Sequence, residues 1–260
     1  MSLTWVQREE AAALLREATY RVTPVNPLSA LIPAFDMADA YAVQRDNIAW
    51  HVADGANVIG YKVDRTPGTR RDSLAPYSFG HVLDDMTHRD GTVIRAGRYC
   101  RPRVDPEICF LLSKALSGPR GTVSDVLGTT RAVAPALEIQ DSRIRHERAD
   151  VVAWVADNAG SAGLVCGAWT PLAEAPDLAG VPADLVVDGE PVASGGGRAI
   201  SGHPADAVAW LATVLAERGS VLEPGHVILS GALTQPFFVT PGQKLKARFG
   251  PLGTVSLAFA

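Results

Sequence analysis

No stretch of the 260 residues approaches the roughly 20 consecutive apolar side chains that a membrane-spanning helix needs. A secretory leader is not expected either, because Arg8, Glu9 and Glu10 stand where an apolar run is required. Cysteine is scarce: Cys100, Cys109 and Cys166 are odd in number and show no C-x-x-C spacing. They exclude a disulfide frame and a cysteine zinc site, and fit small core residues of a reducing compartment. A cytoplasmic protein is expected. Clustered positive charge is missing too. The formal net charge is −4, and the 24 basic residues, all but four of them arginine, are scattered. Nucleic acid and membrane surfaces are therefore not expected partners. No Ser-His-Asp or Cys-His arrangement carries a spacing signal. Gly195-Gly196-Gly197 lacks the strand–turn–helix setting of a phosphate loop and reads as a hairpin or loop.

What is present is an ordinary globular composition, 47% hydrophobic and 20% charged. The first sixty residues read as helical. Thr4 is placed to cap a helix through about Tyr20, with Glu9 and Glu10 near its positive end. Pro24, Pro27 and Pro33 interrupt the pattern. Asp36 then caps a second helix, with Asp39 as a box-like partner, that runs to about Asp54 and stops at Gly55. Beyond it the texture becomes β-like over 57–63, 104–113, 132–140, 163–169, 184–188, 226–231, 243–248 and 253–259. One later helix opens at Pro204, with Ala207, Val208, Leu211 and Val214 as its stripe, and ends at Gly219. Helices followed by a run of strands imply an α+β fold. A helical region over 1–56 is expected to pack on a β-rich core over 57–260 as one structural unit.

Three carboxylates interrupt apolar strand patterns: Asp105 and Glu107 in Val104-Asp105-Pro106-Glu107-Ile108, and Glu138 in Pro135-Ala136-Leu137-Glu138-Ile139. Lys62 sits likewise in Val58-Ile59-Gly60-Tyr61-Lys62-Val63. Desolvating an ion costs several kcal/mol unless something pairs with it. Period two puts Asp105, Glu107 and Cys109 on one face of their strand, with Val104, Ile108 and Phe110 on the other. If Glu138 converges on the acidic face, the result is an all-oxygen site for a hard divalent ion, with Lys62 balancing charge. The alternative for the acids is a solvated strand face, and for Lys62 a snorkelling edge position.

At these residues the chain resembles the 2-keto-4-pentenoate hydratase and 4-oxalocrotonate decarboxylase family of the fumarylacetoacetate hydrolase superfamily. The matching blocks run in order: Val58 to Lys62, Arg101 to Glu107, Pro135 to Ile144, Val155 to Asn158, Gly202 to Pro204, Val227 to Gly231 and Leu252 to Ser256. The resemblance implies a mixed β-sheet roll around the active site, N-terminal helices against it, and a homo-oligomer that can associate with a partner enzyme of the same family. It implies Mg²⁺ or Mn²⁺ held by Asp105, Glu107 and Glu138, and a short 2-oxo acid or 2-hydroxydienoate as substrate. Lys62 is the implied acid/base group, with Asp157 and Ser161 as further catalytic residues and Ser78, Ser230 and Thr234 at the substrate. The implied activity is tautomerisation and hydration of a 2-hydroxy-2,4-dienoate; alternatives are decarboxylation, C–C bond hydrolysis and a catalytically altered partner subunit. Two departures stand out. Asp105 replaces the first glutamate of the usual Glu-x-Glu. Tyr77-Ser78-Phe79-Gly80 replaces the usual Pro-Asp-Tyr/Phe-Gly, so a hydroxyl stands where a carboxylate is expected near the substrate.

Overall fold

The computed structural model describes residues 3–32, 35–65, 77–118, 121–145 and 150–260. Pro33 lies outside them. Helices α1 (Trp5–Arg21), α2 (Leu28–Leu31) and α3 (Met37–Ala53) open the chain. Thr4 caps α1 in a capping box closed by Gln7, while Glu9 pairs with Arg16 instead of serving the helix end. Asp36 caps α3 by accepting from the Asp39 amide at 2.9 Å. Asp39 does not return the bond as the box pattern suggested. Its buried carboxylate accepts from the Leu3 amide at 2.9 Å, tying the start of α1 to α3.

Strands follow: β1 (Val58–Arg65), β2 (Tyr77–Leu83), β3 (Thr87–Arg89), β4 (Thr92–Ile94) and β5 (Arg103–Leu112). Then come α4 (Val123–Thr129), β6 (Thr130–Gln140), α5 (Val151–Ala156), β7 (Ser161–Cys166), β8 (Thr170–Pro171), β9 (Pro182–Val187) and β10 (Glu190–Gly196). The chain closes with α6 (Pro204–Glu217), β11 (Val227–Leu229), β12 (Phe237–Phe238), β13 (Lys244–Arg248) and β14 (Thr254–Phe259). The larger sheet has the order β2-β1-β11-β5-β6-β7-β3, with β12 beside β5 and β8 beside β6; the smaller has the order β10-β9-β13-β14-β4. Both are mixed, because β1–β11, β3–β7 and β4–β14 are parallel pairs among antiparallel ones. The class is α+β. The glycine stretch at 195–197 lies at the end of β10, in the hairpin that β10 forms with β9.

The main core fills the space between the two sheets and α6. Val104, Ile108, Phe110, Val133, Leu137 and Ile139 come from the larger sheet, Leu185, Leu245, Val255 and Leu257 from the smaller, and Val208 and Leu211 from α6. Each such side chain contributes about 1.5–3 kcal/mol on burial. Pro106 is tolerated inside β5 because β11 pairs with Cys109–Leu111 and β12 with Val104 and Arg103, so Pro106 falls in the gap between them. Its carbonyl still accepts from the Leu233 amide at 2.9 Å. A second core joins α1, α3 and α5 through residues such as Leu15, Val43, Ala153 and Val155.

Candidate functional site

The second face of the larger sheet is where the charged residues collect. On β5, alternation sends Val104, Ile108 and Phe110 into the main core and leaves Asp105, Glu107 and Cys109 on the opposite face. Register sets Asp105 directly opposite Glu138 on β6, and Arg103 opposite Gln140. On the other side, Lys62 of β1 pairs with Leu229 of β11, which in turn pairs with Cys109. One face therefore carries Lys62, Asp64, Asp105, Glu107, Glu138 and Gln140. Its other end is closed by an apolar plug of Val82, Cys109, Ala136, Leu164 and Leu229.

All four carboxylates and the ammonium are buried, Lys62 at 0% exposure. Lys62 Nζ is ion-paired with Asp64 Oδ2 and lies 3.1 Å from Glu138 Oε1, under the Trp154 ring at 5.3 Å. Gln140 Nε2 donates to Glu138 Oε2 at 2.9 Å and to Asp64 Oδ1 at 3.3 Å. Glu107 Oε2 accepts from the Gly231 amide at 2.8 Å. Asp105 Oδ1 and Glu107 Oε1 have no hydrogen-bond partner among the described residues. Burial, then the neighbouring charges of Glu138 and Asp64, pushes the Asp105 carboxyl well above its ordinary range; burial, Glu138 and Asp105 do the same to Glu107. Burial raises Glu138 as well, against the opposing pull of Lys62. Burial alone would depress Lys62, but Asp64 and Glu138 outweigh it and raise the ammonium.

Four acids against one buried ammonium leave an excess of negative charge that a hard divalent cation would satisfy. Oxygens of Asp64, Glu107 and Glu138 all lie within 4.8 Å of one another. That set differs from the expected one by Asp64 in place of Asp105. Asp64 has both oxygens engaged, by Lys62 and Gln140, whereas Asp105 and Glu107 each keep a bare buried oxygen. Donor availability thus favours Asp105 over Asp64; Glu138, held by Lys62 and Gln140 as Asp64 is, belongs to both sets, which leaves Asp105, Glu107 and Glu138 as the residues that could hold a cation. Asp64 is the counter-charge of Lys62.

A cavity of about 970 Å³ opens beside this centre, lined at its inner side by Asp64, Gln140, Trp154, Leu233 and Thr234. Arg65, Arg101, Arg103 and Arg145 stand in its wall. Arg103 Nε donates to Gln140 Oε1 at 2.7 Å and its guanidinium covers Trp154 at 4.8 Å; Arg101 lies over Phe238 at 4.5 Å. Flat, partly apolar walls with several guanidinium groups suit a short unsaturated acid.

Residues 46–259 match the fumarylacetoacetate (FAA) hydrolase C-terminal family. The chain is 34% identical to 2-keto-4-pentenoate hydratase 2 of Dechloromonas aromatica, covering 100% of both chains. It is 36% identical to 2-hydroxyhexa-2,4-dienoate hydratase of Comamonas testosteroni over 94% of each. The solved 4-oxalocrotonate decarboxylase of Pseudomonas putida G7, complexed with magnesium and adipate, superposes with a TM-score of 0.94 at 30% identity, over 100% of this chain and 99% of that one. The chain belongs to the fumarylacetoacetate hydrolase family, in its hydratase–decarboxylase branch.

Within that family fold, Lys62, Asp105, Glu107 and Glu138 are brought together. Ser78 lies opposite Asp64 across β1–β2, and its buried Oγ has no hydrogen-bond partner among the described residues; the same holds for Ser230 Oγ. Thr234 lines the large cavity. Asp157 and Ser161 do not join this group. They line a separate cavity of about 200 Å³ with Arg143 and His51. The Asp157 carboxylate is taken by Arg143, through Nε at 2.5 Å and the backbone amide at 2.8 Å, so it is not free to hold a water for chemistry at the acidic centre. Burial nevertheless raises its pKa to about 6 against the pull of Arg143. Sequence reasoning missed Asp64, Gln140 and Arg103, all legible by period two from Lys62, Glu138 and Asp105. Trp154, on the short α5, carried no such signal.

Proposed function

We propose that the protein is a divalent-metal-dependent lyase that tautomerises and hydrates a 2-hydroxy-2,4-dienoate, as its hydratase relatives are named for doing. The observation that carries the reading is a fully buried Lys62, paired with Asp64 and Glu138 on the face that also bears Asp105 and Glu107. Asp105, Glu107 and Glu138 would hold Mg²⁺ or Mn²⁺, which when bound supplies Lewis acidity to the 2-oxo carboxylate end of the substrate. Lys62 is the proton carrier, fixed by its two carboxylate partners so that one N–H can be given to the substrate chain and regained. The arginines of the cavity draw in the anionic substrate, and Trp154 and Phe238 cover its planar chain. Ser78, Ser230 and Thr234 offer hydroxyls along the way. Asp157 and Ser161 enter as supports, Asp157 by anchoring Arg143.

The same reading makes residues 1–56 a helical buttress on a catalytic core over 57–260, in a cytoplasmic homo-oligomer. Exposed Trp5, Val6 and Tyr20 on α1 support an assembly surface.

A second reading, decarboxylation of a 2-oxo acid with a second carboxylate, is favoured by the four cavity arginines and by the relative that binds adipate, a dicarboxylate. The test is incubation of the Mg²⁺-loaded protein with 2-hydroxypenta-2,4-dienoate and, separately, with 4-oxalocrotonate, products being followed by NMR. A 4-hydroxy-2-oxo acid from the dienoate supports hydration. Carbon dioxide from the diacid supports the second reading. Neither product from folded, metal-loaded protein overturns the lyase.

A further inference from the structure

β1 and β2 form an antiparallel ladder in which Asp64 stands directly opposite Ser78, and Lys62 opposite Gly80. Opposite residues of such a ladder share a face, with Cβ atoms about 5 Å apart. A side chain at either position therefore reaches into the same small volume beside Lys62. Asp64 fills it: one oxygen pairs with Lys62 Nζ and the other accepts from Gln140. Ser78 is 1% exposed, and its hydroxyl has no hydrogen-bond partner among the described residues. A buried hydroxyl left idle beside an occupied ion pair is what remains when the charge arrives from the neighbouring strand.

We propose that the carboxylate which the family resemblance places at position 78 has changed strands in this chain: Asp64 positions Lys62, and 64 and 78 form one locus that either strand can fill. The inference rests on Lys62 being the proton carrier of the reading above. It makes Asp64 a positioning residue, distinct from the ligands Asp105, Glu107 and Glu138. It also removes the apparent deficit at Ser78, because the negative charge is kept and only its strand is exchanged.

The test is a reciprocal swap: Asp64→Ser, Ser78→Asp, and the double variant, each read by turnover of 2-hydroxypenta-2,4-dienoate, by calorimetric binding of Mg²⁺ alone, and by thermal unfolding. Asp64→Ser is expected to lose on the order of 10²–10⁴-fold in kcat with KM and Mg²⁺ affinity within a few-fold of the parent. Its Tm falls by roughly 10 °C, because a buried ammonium loses a partner. Ser78→Asp alone adds a third carboxylate beside the one ammonium, next to Asp64 and Glu138, and also loses activity and stability. The double variant regains at least tenfold in kcat and half or more of the lost Tm. Loss of Mg²⁺ binding in Asp64→Ser would make Asp64 a ligand and overturn the proposal. So would undiminished turnover in that variant, or a folded double variant no better than Asp64→Ser. If Asp64→Ser does not fold, Asp64→Asn takes its place in the same series. If the parent itself turns over no dienoate, the proposed function fails, and recovery or non-recovery of Tm in the double variant alone decides the strand exchange.

Discussion

Replacing Glu138 by glutamine keeps the side-chain volume and removes one charge, and two opposing contributions can be weighed. Glu138 Oε1 lies 3.1 Å from Lys62 Nζ, worth about 5 kcal/mol of attraction at an effective dielectric of about 20. Against it stands repulsion from Asp105 across the ladder, about 3 kcal/mol at a separation of about 5 Å, with Asp64 and Glu107 adding to it. The metal-free protein should therefore change little, within about 2 kcal/mol, or a Tm shift within about 8 °C of either sign. The metal-bound protein should behave differently. At a Mg²⁺ concentration of about 100 Kd the parent gains about 2.7 kcal/mol, which raises Tm by roughly 5–10 °C. Glu138→Gln offers a neutral oxygen in place of a charged one, so at the same Mg²⁺ its Tm should rise by less than about 2 °C. Paired melting curves with and without Mg²⁺, backed by titration calorimetry, read both numbers. A variant that keeps the parent's metal-dependent rise would refute the assignment of Glu138 as a ligand.

Lys62→Met should fold and bind Mg²⁺ yet lose on the order of 10²–10⁴-fold in turnover, measured as steady-state hydration of a dienoate; a rate within a few-fold of the parent would reduce Lys62 to a structural charge. His81 is held near a pKa of about 4 by burial, the Asn158 hydrogen bond opposing, against an ordinary value of 6.5. A depressed histidine contributes stability that is present above pH 6.5 and lost as pH falls through about 4, up to about 3 kcal/mol. Denaturant melts of His81→Gln should therefore show a flatter decline over that window than the parent. Gly160 has φ +69°, and a Cβ there would lie 2.0 Å from the Trp154 ring. Gly160→Ala should cost about 1–3 kcal/mol by urea denaturation and raise KM by displacing the cavity wall; an unchanged Tm and KM would show that the ring yields freely.

The acidic face was legible because β5 and β6 alternate: Asp105, Glu107 and Glu138 each sit between core residues at period two, and the register then sets Asp105 against Glu138. Strands expected over 163–169 and 226–231 stop at Cys166 and Leu229. β7 ends just before Gly167, whose amide still bonds to Pro135 of β6, and whose missing Cβ lets the chain pass Thr254 O, which a Cβ would approach to 2.7 Å. β2 escaped notice because Tyr77, Ser78, Phe79 and Gly80 are all buried, which erases the alternation that marks a half-exposed strand. α5 is only six residues long, too short for a helical period to declare itself. Lys62 and Asp64 show the limit most clearly. Their shared face follows from spacing, but their meeting with Glu138 depends on which strands lie between β1 and β6, and no local pattern encodes that.

The first of these is β11, three residues supplied late in the chain, between β1 and β5 in the larger sheet. During synthesis, β1 and β2 can pair, and β5, β6 and β7 can pair, long before Val227–Leu229 emerges. Until then Lys62 and Asp64 belong to one half-sheet, and Asp105, Glu107 and Glu138 to another. In the folded sheet the ammonium and the acids are joined across β11. Such a non-local closure makes late assembly a slow step. A nascent chain halted before residue 227 would hold two unpaired sheet edges where β11 belongs, so the assembled centre waits for the last 34 of the 260 residues, 227–260.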